Sequence, residues 1–161
     1  MLKLKRIGAG KNGSAHEHAI VTFDPRADIT IFCWTEPLRI YNKIYPINIR
    51  EVTREHPLDK HPVYRAGRDF YKYLFDKNYF MRRFERDLYW FDKEVLSRYE
   101  GLAIHLFSFR NSYYDFENGI QVEKFLRDIN PNDDNAYANH FTEEQNIKFA
   151  DSMFDVIKAV S

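Results

Sequence analysis

Residues 68–100 read RDFYKYLFDKNYFMRRFERDLYWFDKEVLSRYE. Within them Phe70, Leu74, Met81, Phe84, Leu88, Phe91 and Val95 recur at alternating steps of four and three, interrupted only at Lys77. Such spacing keeps one side of an α-helix continuously apolar. At about 1.5 Å per residue, the segment predicts a helix roughly 45–50 Å long, longer than most in small domains. Its first half adds Tyr71, Phe75 and Tyr79 on a second stripe, with Tyr73 and Phe80 between. A helix apolar nearly all round is buried on most sides or carries an interface. This one is expected to be the central helix of the domain, and its apolar excess leaves a homodimer open. The second half carries Arg83 with Asp87 and Glu94 with Arg98 at i, i+4 spacing. Asp76-Lys77-Asn78 is where the helix would divide in two, and Gly101 is placed to end it.

Upstream, the chain alternates short apolar runs with turns. Leu2–Ile7 alternates apolar and basic residues, as a half-exposed strand does. Gly8-Ala9-Gly10-Lys11-Asn12-Gly13 then spells G-x-G-x-x-G. One reading is a dinucleotide-binding turn ahead of a helix capped by Ser14 and Glu17, with Glu36 as the ribose-binding acid. The other is a glycine hairpin loop leading to a strand, Ala19–Phe23, which its β-branched composition suits. The short span to the Asp24-Pro25 turn and the lack of further βαβ units favour the hairpin. Ile29–Trp34 is the strongest strand, apolar on both faces, with Cys33 expected to be a small core residue. Leu38–Tyr41 and Ile44–Ile49 would pair across Asn42-Lys43, with Pro46 marking an edge. The N-terminal third thus predicts an antiparallel sheet.

Residues 51–67 are polar, hold two prolines and are expected to form a long loop. Downstream, Leu102–Phe109 reads as one further strand, with His105 a core histidine. Gly119–Ile129 reads as a short helix, and a last helix opens at a Thr142/Gln145 capping box with Ile147, Ala150, Phe154 and Ile157 as its buried stripe. The expected class is α+β in a single domain of 161 residues: the sheet packed on the central helix, one strand, and two C-terminal helices.

Composition narrows the function classes. Fourteen Phe and eleven Tyr in a 44% hydrophobic chain argue against disorder. One cysteine forbids an internal disulfide, which suits a reducing cytoplasm. No run approaches the length of a membrane span, and the N-terminal residues lack the apolar stretch of a secretory signal. The formal net charge is zero, yet residues 115–161 hold ten acids against four bases, and residues 1–114 twenty bases against fourteen acids. No G-x-S-x-G, H-E-x-x-H, P-loop or E-x-K pattern occurs. His16 and His18 would share one face of a strand and approach a zinc pair, but no third ligand follows from spacing, so neither metal nor cofactor is expected. Arg82, Arg83 and Arg86 beside Tyr89 and Trp90 resemble a nucleic-acid footprint in composition, but Glu85, Asp87 and Asp92 interleave with them.

The expectation is a cytoplasmic protein-binding module of inhibitor or immunity type, in the manner of bacterial toxin systems. Its acidic C-terminal third would engage a basic protein such as a nuclease toxin. Asp115, Glu117, Asp133, Asp134, Glu143 and Glu144 are the candidate contacts, with Tyr113, Tyr114 and Tyr137 as aromatic anchors. The alternative is an enzyme acting on nucleic acid or a phosphorylated substrate through residues 55–68. His56 or His61 would be its acid–base group, and Arg65 and Arg68 an anion clamp.

Overall fold

A computed structural model describes residues 16–35, 37–40, 47, 61–107, 113–122 and 143–160. The strand expected at Leu2–Ile7, the glycine motif, and all of Ile44–Ile49 except Ile47 lie outside these residues, as does the loop at 51–60. In order, the described elements are α1 (His16–Val21), β1 (Ile29–Trp34), α2 (Pro62–Tyr73), α3 (Lys77–Trp90), β2 (Leu102–Phe107), β3 (Ile120–Val122) and α4 (Glu143–Val160). Between α3 and β2 lie a π-helical turn, Phe91–Val95, and a 3₁₀ turn, Leu96–Arg98. The chain mixes helix and strand, as expected of the α+β class.

The sheet corrects the expected antiparallel arrangement. Its order is β1-β2-β3, and both pairings are parallel, with Ile29 opposite Leu102, Trp34 opposite Phe107, and Ile104 opposite Ile120. Parallel neighbours need a long crossover, and α2 and α3 supply it between β1 and β2. The antiparallel pairing seen among the described residues is one bridge, Ile40 to Ile47.

The long helix is interrupted. Leu74 closes α2, and the Asp76 carboxylate accepts from the backbone N–H of Asn78 at 2.8 Å and of Tyr79 at 3.1 Å. That N-cap starts a new helix instead of continuing the old one. At the other end α2 begins at Pro62, inside the expected loop, because proline suits a first helical turn and His61 Nδ1 accepts from Val63 N.

Phe84, Leu88 and Phe91 lay the α3 stripe on one face of the sheet, against Phe32, Trp34 and Ala103. α4 covers the other face, with Met153 on Ile104 and Leu106. It sits over β2 and β3, so Cys33, on the β1 side of that face, is exposed and not the core residue expected. The buried side of α4 is Phe149, Met153, Val156 and Ile157. Ile147 and Phe154, expected inside, are 56% and 64% exposed. The helix carries two overlapping apolar stripes, and periodicity alone does not choose between them. Two further corrections follow from packing. Ala19–Phe23 is not a strand: α1 sets Ala19 and Ile20 against the core, and Phe23 packs there just after the helix ends, overriding β-branched composition. The helix expected from Gly119 opens as β3, paired with the central strand; residues 123–129 lie outside the described residues.

The sheet face under α3 is built from flat rings. His105 lies between Phe32 and Phe116, stacked on Phe116 at 3.6 Å, while Trp34 stacks on Phe32 and Phe116. Trp34 Nε1 donates to His105 Nδ1 at 3.1 Å, so the other ring nitrogen, Nε2, holds the proton and donates to Asn118 O at 3.0 Å. Burial lowers the His105 pKa from 6.5 to about 4. Gly119, at φ +110°, lets the chain pass so close that a Cβ there would stand 2.6 Å from Ala103 O.

Asp92, in the π-helical turn, is fully buried. Its Oδ2 accepts from Tyr114 Oη at 3.0 Å and Glu117 N at 3.1 Å, and its Oδ1 from Asn118 N and Nδ2, both at 3.0 Å. Burial raises its pKa, but these donors outweigh that effect, and the net shift is downward.

Two predictions follow. Asp92→Asn turns an amide NH2 toward groups that themselves donate, and is expected to cost about 3 kcal/mol, read as a lower urea midpoint at unchanged slope. For His105, the unfolded chain binds a proton below pH 6.5 while the folded ring stays neutral until about pH 4. Stability attributable to it should therefore fall as pH drops from 6.5 to 4, by about 3 kcal/mol in all. His105→Gln, which keeps a donor for Asn118 O, should remove that part of the slope in urea titrations across pH.

Candidate functional site

α1 lies beside α3, and the two helices build a charged cluster on the flank of the core. Arg83, Asp87 and Trp90 occupy one face of α3 at i, i+4, i+7. They meet Glu17, Ile20 and Val21 of α1. His16 is 1% exposed and sets its ring edge-on against Phe84, with centroids 4.7 Å apart. The core thus fixes the imidazole, with a carboxylate facing each of its nitrogens.

His16 Nε2 is 3.2 Å from Asp87 Oδ2, and His16 Nδ1 is 3.2 Å from Glu17 Oε2. Arg83 Nη2 donates to Glu17 Oε1, and Arg86 Nη2 donates to Asp87 Oδ1 at 2.9 Å. Burial lowers the His16 pKa against the opposing pull of Glu17 and Asp87, while Arg83 adds to the lowering. His16 Nδ1 and Glu17 Oε2 are both shut off from solvent, and among the described residues neither finds a hydrogen-bond partner. A neutral ring therefore places its proton on Nε2, facing Asp87. Beside the cluster opens a cleft of about 370 Å³ lined by Glu17, Ile20, Val21, Arg86, Asp87 and Trp90. Ligand atoms of His16, Glu17 and Asp87 lie within 4.8 Å of one another, a spacing open to a metal ion.

Sequence reasoning missed this cluster. It weighed His16 with His18 on a strand; on a helix these two residues diverge by about 200°. It paired Arg83 with Asp87 along one helix, whereas Arg83 reaches across to Glu17. The available signal was the i, i+4, i+7 set on α3, but its partner came from a segment 66 or more residues away.

The sequence-predicted contacts are spread over the molecule. Tyr113 packs on Phe84 and Phe107, and Tyr114 donates to Asp92. Glu117 pairs with Lys93, and Asp115 is exposed. This loop is rooted on the α3 side of the sheet through Phe116 and His105. Glu143 and Glu144 stand exposed in the first turn of α4, on the opposite side, with Glu144 paired to Lys148 at 2.8 Å. Arg65 and Arg68 are exposed on α2, in line with His61 by helical spacing, and His61 caps that helix. His56, Asp133, Asp134 and Tyr137 lie outside the described residues. Comparison with known protein families, curated proteins and solved structures finds no match to this chain.

Proposed function

We propose that the protein is a binding module for a basic protein partner, acting in the cytoplasm as an inhibitor or immunity-type factor, and that α4 carries the contact surface. The observation that supports this is the outer face of α4. Ile147 and Phe154, seven residues apart and so on one side of the helix, are more than half exposed. Glu143, Glu144, Asp151 and Asp155 surround them, all exposed. An apolar pair inside an acidic frame is the counterpart of a basic surface with an apolar centre: the charges speed and orient encounter, and the buried side chains hold the complex. Among the described residues no helix is long and apolar enough to cross a membrane, so a bilayer-spanning role for α4 is not the explanation of its apolar face.

The test compares the wild-type chain with Phe154→Ser and with Glu143, Glu144, Asp151 and Asp155 together changed to Lys. Each would bait native lysate and the co-expressed product of a neighbouring gene. A stoichiometric basic partner should be captured by the wild type and weakened by salt. Phe154→Ser is expected to lower affinity by about thirtyfold, as loss of an aromatic anchor does. The charge reversal should slow association about tenfold at low salt. Equal capture by folded variants, or recovery of nucleic acid alone, would count against this surface.

A further inference from the structure

We propose that the corner between α1 and α3 is a binding site for a divalent transition-metal ion of the zinc class, with His16 Nδ1 and Glu17 Oε2 as its protein ligands and Asp87 as the carboxylate that orients the imidazole. The observation is a pair of facing atoms. With the ring proton on Nε2, Nδ1 presents a lone pair to Glu17 Oε2 at 3.2 Å. Both atoms are buried, and among the described residues neither has a hydrogen-bond partner. Two acceptors at this distance repel each other unless a cation lies between them. A shared proton answers poorly, because the two atoms are not aligned as a hydrogen bond requires.

A metal ion answers well. Two ligand atoms 3.2 Å apart, each about 2.1 Å from an ion, subtend about 100° at it, between the octahedral and tetrahedral angles. The rest of the cluster has the form of a supporting shell. Asp87 Oδ2 stands 3.2 Å from Nε2, the carboxylate–imidazole–metal relay that sets tautomer and ring direction. Arg86 holds Asp87 Oδ1, and Arg83 holds Glu17 Oε1, leaving Oε2 for the ion. Imidazole with carboxylate suits zinc over magnesium or calcium, which take oxygen alone. Glu17 and Asp87 also line the cleft, so water or a donor from a bound molecule would complete the coordination there. The two arginines already offset the carboxylate charge, so the ion is held with moderate affinity and exchanges.

The test is calorimetric titration of the full chain with zinc alone at neutral pH, together with its melting midpoint. One ion per chain should bind and raise the midpoint. Glu17→Gln, a change at a partly exposed helix position, should abolish both effects. Asp87→Asn should weaken binding about 10–100-fold by freeing the ring. His18→Ala should change neither. Cobalt in place of zinc should give the absorption of nitrogen–oxygen ligation. Imidazole ¹⁵N spectra of the wild type make the result independent of how the variants fold: zinc should move the His16 Nδ1 resonance while Nε2 keeps its proton. No binding with millimolar zinc, binding unchanged in folded Glu17→Gln, or a shift at another histidine with His16 unmoved would each overturn the site.

Discussion

A buried carboxylate carries the arrangement of one whole side of this protein. Asp92 lies where the α-helix α3 widens into a π turn, and that turn aims its side chain at the 113–119 segment. Four donors converge on it, two of them backbone N–H groups of Glu117 and Asn118 that no strand pairs. Without the carboxylate these groups would be buried unsatisfied. With it, the segment lies against the sheet, Phe116 stacks on His105, and the chain arrives at Gly119 positioned to add β3 beside β2. One ionised group therefore links helix, loop and third strand. Burial acts against that ionisation and the donors act for it; the donors prevail.

The ring stack is the apolar complement of that polar anchor. Trp34 and His105 come from adjacent parallel strands, and each leaves one polar atom that the other satisfies. A histidine in this place works because its two nitrogens have opposite roles, acceptor for an indole and donor for a backbone carbonyl. The neutral ring is then a flat core residue, and its depressed pKa is a consequence of that role.

The charged cluster on α1 depends on this core in turn. Phe84 belongs to the α3 stripe, and His16 rests on it edge-on. Of the carboxylates gathered around the imidazole, Asp87 is held by Arg86 from the next position of α3, and Glu17 by Arg83 from across the two helices. The cleft and the α4 face thus lie on separate elements, tied to opposite faces of the sheet. A ligand in the first and a protein on the second would not compete for the same side chains.

By itself the sequence determined the strongest elements. The stripe at Phe84, Leu88 and Phe91 is the core side of a helix, and Ile29–Trp34 and Leu102–Phe107 are strands, because apolar periodicity is a local property. The apolar pattern on both faces of Ile29–Trp34 predicts two covered faces, but only the Phe32 and Trp34 side is buried, because α4 lies over β2 and β3. Asp76-Lys77-Asn78 stood out as a place of division, while the N-cap by which Asp76 makes that division is seen only in the structure. Tertiary structure alone decided strand direction, since that depends on where the chain returns after its crossover. It also decided which of two α4 stripes faces inward, and that Ala19–Val21 belong to a helix. The His16–Glu17–Asp87 cluster was not legible, because its charges come from segments about 70 residues apart that packing of Phe84 brings together.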